Sequence, residues 1–333
     1  MCLKKFQPVC HDFIGIEVRQ MLDKGVTLLT QSKYWVLVGE RFREYLNAPF
    51  NVRTPLPERS EVTEPSESEV KAASHLPYRQ LLGCMAFPSC HTKLEIRFAI
   101  SLLSRYMQGW SVQVWNLALH CLKYCIATRH FGLVYTRGGD PHGQNVPYSY
   151  ADSAFTAPKS QGCRLVMMNG AAISLSSQRH STVDTSTTGA ELTEAFLASN
   201  DIAGFRNLLS ELGFVLEEPT VLYQDNQPAI RIAEGNRTLG SATKHLSLRV
   251  WKLKERIEDG DVVLVYCGTH DMFADIGTKA LGPTVFEYLR DLTTGYALLR
   301  QLHPEIDPVA IGLEAERTWA CFVVPAHQPY ARQ

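Results

Sequence analysis

The chain has 333 residues, 45% of them hydrophobic and 20% charged, which is room for two domains with an ordinary buried core. A net charge of −1 and a pI near 6.8 exclude a polycation, so any nucleic-acid contact must come from a local basic patch. Nine scattered cysteines without a Cys-x-x-Cys pair argue against a disulfide framework or zinc site, and the absence of a signal-peptide pattern or long apolar run predicts a reducing intracellular compartment.

Residues 13–18 (FIGIEV) and 26–30 (VTLLT) predict strands, and 33–46 a helix. The stretch 51–76 carries Pro55, Pro57 and Pro65 among Glu58, Glu61, Glu64, Glu67 and Glu69, and reads as an unpacked acidic linker. Helices follow near 77–89, 93–107 and 112–127, the last with an apolar face that includes Val114, Leu122 and Cys125. A strand at 131–136 leads into the polar, Gly-rich 137–145, where a domain boundary is placed. Beyond it come strands at 147–155, 163–168 and 171–176, then helices at 188–199 and 201–212. A strand at 220–225, a short helix near 227–234, a basic helix at 244–258 and a strand at 261–268 continue the pattern. Helices at 271–280 and 283–293 end it, and 303–333 carry no assignable pattern. The order predicts an α/β fold: a mixed five-stranded sheet with flanking helices, preceded by a smaller, mostly helical region.

Four acids stand where such a sheet could gather them. Asp152 is the only acid on its strand, in PYSYADSAFT at 147–156. Glu191 lies in the first turn of a predicted helix, Asp225 ends a strand and Asp275 opens the last helical region. Oxygen ligands of this kind suit hard divalent ions such as Mg²⁺, two of which can align a water with a phosphodiester. Each acid also has a plainer reading: Glu191 as a partner of a helix dipole, Asp225 as a turn or cap residue, Asp275 as an exposed helix acid.

The run STTGAEL…PTVLYQDNQPAI…ATKHLSLRVWKLKERI…THDMFADIGTKAL resembles the RNase H domain that ends the Pol polyprotein of copia-type (pseudoviral) LTR retrotransposons. The family pattern reads STTEAEY, DNQ, KHID and AD-x-x-TK-x-L. Upstream, FIGIEV, PYRQLLGCMAF, FAISLLSRYM and CLKYCIATRHFGLVYT resemble the connection region that follows a reverse transcriptase palm. The resemblance divides the chain into a palm or thumb remnant (1–56), an acidic linker (57–76), a helical connection region (77–145), an RNase H-like domain (146–300) and an unassigned tail (301–333).

The resemblance implies two-metal hydrolysis of the RNA strand of RNA–DNA hybrids with Mg²⁺ or Mn²⁺. It makes Glu191, Asp225 and Asp275 catalytic acids and metal ligands, with His270 assisting proton transfer. Asn226, Gln227, Lys244, His245, Arg249 and Lys252 become nucleic-acid contacts, although a solvated helix face explains the basic helix nearly as well. Partners implied are an RNA–DNA hybrid or other duplex and an upstream reverse transcriptase segment, with no membrane. Localisation is cytoplasmic, in a virus-like particle, or nuclear. The paired aspartates of a reverse transcriptase active site are missing.

The family's first-strand motif, YSDADWAG, is YSYADSAF here. Its first acid falls on Tyr150, and Asp152 matches the second. Both residues face one way, but Asp152 then lies about 6.6–6.8 Å further along the strand, too far to substitute in a strict Mg²⁺ site. The expectation is an impaired ribonuclease with Asp152 a doubtful ligand. The alternative is a non-catalytic remnant or co-opted nucleic-acid-binding module.

Overall fold

The computed structural model describes residues 9–47, 50–156, 158–236 and 246–307. The predicted strand at 13–18 is split between β1 (Val9–Phe13) and β2 (Ile16–Met21). Ile14 and Gly15 link them with φ of 53° and 74°, the two positive values a two-residue hairpin turn demands. β3 (Val26–Thr30) pairs with β2, and β4 (Leu133–Thr136) pairs with β3, closing an antiparallel sheet of order β1-β2-β3-β4.

Between β3 and β4 run α1 (Ser32–Arg41), α2 (Glu67–Ala73), α3 (Tyr78–Ser89), α4 (Arg97–Ser104) and α5 (Val112–Ala127). Helix α2 lies inside the predicted acidic linker and corrects it. Ser66 accepts from the Glu69 N–H, and the Glu69 carboxylate accepts from the Ser66 N–H at 2.8 Å, so a capping box nucleates the turn. Ala73 is then buried at its far end.

The second sheet has the order β7-β6-β5-β8-β9, from β5 (Tyr148–Ala154), β6 (Gln161–Met168), β7 (Ala171–Arg179), β8 (Thr220–Gln224) and β9 (Val262–Tyr266). The first three strands are antiparallel; β8 joins β5, and β9 joins β8, in parallel. This is the RNase H-like mixed five-stranded sheet.

One helix, α6 (Thr187–Glu211), replaces the two predicted. The predicted break at residue 200 falls among Ser199, Asn200 and Asp201, which are weak helix formers. Tertiary partners override that propensity: Arg164 pairs with Asp201 at 2.5 Å, and Arg256 donates to Asn200 at 2.8 Å. α7 (Gln227–Ala233) and α8 (Ser247–Glu258) join α6 on the sheet face that carries Ala151, Leu222 and Leu264.

The opposite face, with Tyr150, Leu165 and Leu175, shares one core with Trp35, Tyr78, Leu122 and Tyr124 of the first half. The predicted helix at 271–280 is instead two 3-10 turns, Thr269–Asp271 and Phe273–Gly277. After α9 (Pro283–Thr293), an unpredicted α10 (Tyr296–Leu302) packs on β4. Its entry needs Gly295: φ is 86°, and a Cβ there would lie 2.0 Å from the Val134 carbonyl oxygen. None of the described helices is long and apolar enough to cross a membrane.

Candidate active site

Strand register decides which residue of PYSYADSAFT meets the other acids. Tyr150 pairs with Tyr223 across the parallel β5–β8 ladder. Asp152 lies two residues further along β5 and Asp225 just past the end of β8, so continuing the register sets the two carboxylates level. Glu191 reaches the same point from the second turn of α6. Single carboxylate oxygens of Asp152, Glu191 and Asp225 lie within 4.8 Å of one another.

This corrects the reading that put Asp152 one pleat too far along and Tyr150 at the ligand position. A motif alignment carries no register; the β5–β8 ladder does. Tyr150 instead sits 7% exposed in the core, between Tyr223 and Phe273. Phe155 is half exposed just past the end of β5.

Asp275 enters from the Phe273–Gly277 turn, which packs on β5 and β6. It pairs with Lys279 at 2.7 Å, and its negative charge bears on Asp152. Thr278 donates to Asp152 at 2.8 Å. Sequence reading assigned no role to Thr278 or Lys279, although both lie within the quoted ADIGTK motif.

The crowding is electrostatically costly. Burial, then the negative charge of Asp275 and Asp225, pushes Asp152 up to about 7. Burial and the charges of Asp152 and Asp225 push Glu191 well above the usual carboxylate range. Asp225 is also raised, by burial and Asp275, against an opposing pull from Lys279. Glu191 Oε2 is buried without a hydrogen-bond partner. An all-oxygen donor set with an orphaned, inward carboxylate oxygen fits a hard divalent cation.

The accessory candidates fare unevenly. His270 is exposed on the Thr269–Asp271 turn, between β9 and the turn that carries Asp275. Asn226 caps α7, its Oδ1 accepting from the Ala229 N–H at 3.0 Å, so that oxygen is already engaged. Gln227 is exposed beside it and accepts from Arg231 at 3.4 Å. Arg249 donates to Thr193 at 3.2 Å, which ties α8 to α6 rather than leaving a free cation. Lys252 is exposed and pairs with Glu255 at 2.9 Å. Lys244 and His245 lie outside the described residues.

A second ionisable cluster lies nearby, unanticipated from sequence. His180 is buried between Asp184 and Glu194, at 2.7 and 3.0 Å from its two ring nitrogens. Arg164 reaches Glu194 at 3.3 Å. Burial opposes a charge on His180, but Glu194 and Asp184 outweigh it and raise its pKa.

No protein-family model matches the chain. It is 28% identical to the retrovirus-related Pol polyprotein from transposon RE2 of Arabidopsis thaliana, over 83% of this chain and 18% of that protein. It is also 28% identical to the corresponding polyprotein from transposon TNT 1-94 of Nicotiana tabacum, over 85% of this chain and 21% of that protein. The chain thus spans about a fifth of the length of these relatives. Among solved structures, LC11-RNase H1 in complex with RNA/DNA hybrid aligns at 13% identity and TM-score 0.32, over 46% of this chain and 99% of that one. A foamy viral protease-reverse transcriptase in complex with dsDNA aligns at 14% identity and TM-score 0.41, over 78% and 45%. The homologues of this chain are copia-type retrotransposon Pol polyproteins.

Proposed function

We propose that this retrotransposon-derived chain is an RNase H-type hydrolase whose centre is Asp152, Glu191, Asp225 and Asp275, acting on the RNA strand of an RNA–DNA hybrid. The observation that carries this reading is the level placement of Asp152 and Asp225, with Glu191 converging on them. It makes an intact carboxylate set a better account than a broken one.

Asp152, Glu191 and Asp225 would hold a Mg²⁺ or Mn²⁺ ion, and Asp275 would share a second. Bound ions there would supply an activated water and neutralise charge on the phosphodiester. The rest falls to the chain. Thr278 orients Asp152 by donating to it. Lys279 sets positive charge against Asp275. His270 is open to solvent, free to exchange a proton with a departing product. Lys252 offers a cation to a backbone phosphate, and Gln227 a polar group beside the acids.

We assign 146–300 to this hydrolase module and the preceding segments to a reverse transcriptase-derived region. A chain of this origin would act where its hybrid is made, in a cytoplasmic virus-like particle or in the nucleus.

The test is a gel assay of the recombinant chain on RNA–DNA hybrid, duplex RNA and duplex DNA, with Mg²⁺ or Mn²⁺. Metal-dependent cleavage confined to the RNA of the hybrid supports the reading. A folded chain that binds hybrid without cutting it overturns the reading in favour of a binding module.

A further inference from the structure

Three of the four acids share a local pattern. Tyr150 precedes Asp152 by two residues, Tyr223 precedes Asp225 by two, and Phe273 precedes Asp275 by two. The three rings form one stack. Tyr150 lies 4.7 Å from Tyr223 at an interplanar angle of 21°, and 4.5 Å from Phe273 at 22°. Tyr150 is the middle ring and the most deeply buried.

The three rings belong to elements with different kinds of attachment. β5 and β8 are hydrogen-bonded strands. The Phe273–Gly277 turn belongs to no strand; the Ser177 hydroxyl donates to its Gly277 carbonyl at 2.6 Å, Thr278 donates to Asp152 just beyond it, and side-chain packing sets the rest of its position. Offset aromatic contacts at these separations are worth about 0.5–1.5 kcal/mol beyond area burial and restrict relative orientation. A strand residue and its i+2 neighbour face one way. On β5, and where the chain leaves β8 at Asp225, spacing the rings therefore spaces the carboxylates.

We infer that the Tyr223–Tyr150–Phe273 stack is a positioning device that sets the spacing of Asp225, Asp152 and Asp275, and that Tyr150 is its central positioning residue. This rests on the proposed hydrolase reading. It gives Tyr150 a role in the centre without contact with metal or substrate. A flat ring is required and the phenol oxygen is not. Leucine has comparable apolar character but cannot stack on both neighbours.

Mn²⁺ alone, titrated calorimetrically into the full chain, separates the possibilities. The wild type binds, and Asp152→Asn loses most of that binding. Tyr150→Phe retains it, whereas Tyr150→Leu weakens it by about 10–100-fold, the loss typical when a supporting partner of a metal ligand is removed. Phe273→Leu alters a partly exposed ring and supplies the same readout if Tyr150→Leu fails to fold. In the cleavage assay both leucine variants lower kcat and raise the metal requirement, with KM for hybrid little changed. Folded leucine variants that bind Mn²⁺ like the wild type overturn the positioning role while leaving the hydrolase reading intact. A wild type that binds Mn²⁺ no better than Asp152→Asn overturns the hydrolase reading, and the positioning role with it.

Discussion

Asp152 and Asp225 stand side by side because Tyr150 and Tyr223, two residues before each, are partners across the parallel β5–β8 ladder. That relationship reverses the meaning of YSYADSAF. An acid expected at Tyr150 would face Tyr223, inside an aromatic core, rather than the other carboxylates.

Tyr150→Asp therefore restores nothing. It places a carboxylate among rings that offer it no partner, and an uncompensated buried charge costs about 3–5 kcal/mol. The expected result is a clearly lower midpoint in thermal or urea unfolding and no gain in hybrid cleavage. Higher activity in this variant would mean that the register had been misread.

The acid cluster makes the metal-free chain pH-sensitive. Asp152, Glu191 and Asp225 all have raised folded pKa values, with Asp152 at about 7. Between the unfolded carboxylate range near 4 and the folded values, the native state binds more protons than the unfolded one, so stability falls as pH rises. Without metal, the thermal midpoint should drop from pH 5 to pH 8. Added Mn²⁺ should raise the midpoint more at pH 8 than at pH 5, because the ion must displace protons from these groups. Equal rises at both pH values would count against a shared proton-and-metal site.

His180 contributes with the same sign by a different route. Its two ring nitrogens both face carboxylates, so the imidazolium can donate to Asp184 and Glu194 at once. A raised folded pKa means that this contribution is fully present below the unfolded value of about 6.5 and is lost as pH rises through the folded value. His180→Ala leaves Asp184 without its partner and Glu194 with Arg164 alone. A loss of about 3 kcal/mol is expected near pH 6. Urea unfolding at pH 6 and pH 9 checks it, with the smaller loss at the higher pH.

On α8, Arg249 and Arg256 are held by α6, whereas Lys252 is exposed and pairs only along its own helix with Glu255. Lys252→Ala should weaken hybrid binding regardless of sequence and reduce the slope of log affinity against log salt by about 1. An unchanged salt slope would remove Lys252 from the interface.

Much of this was legible in the sequence, in places where local pattern and tertiary structure agree. The apolar face predicted at 112–127 became α5 without a shift, and VTLLT became β3 residue for residue. The positions of Glu191, Asp225 and Asp275 followed from their motifs. What failed was non-local. The break at residue 200 disappeared because Arg164 and Arg256 reach in from other elements. The turn before Asp275 is 3-10 rather than α-helical, and its placement rests on packing against β5 and β6. The proximity of Asp152 to Glu191 and Asp225 was missed because motif alignment aligns letters, whereas the cluster is assembled across a strand pair. Two missed features were written locally: the Ile14–Gly15 turn, and the capping box at Ser66 and Glu69, hidden by a run of acids that resembled a linker.

The most direct test is hybrid cleavage by three forms of the chain: wild type, Asp152→Asn and Tyr150→Asp. Wild type should cut the RNA strand in Mn²⁺ or Mg²⁺, and Asp152→Asn should lose more than about 100-fold, beyond the range seen for supporting residues. Tyr150→Asp should not exceed wild type. A folded wild type that is inactive, with cleavage appearing only in Tyr150→Asp, would contradict the placement of Asp152 as the fourth acid.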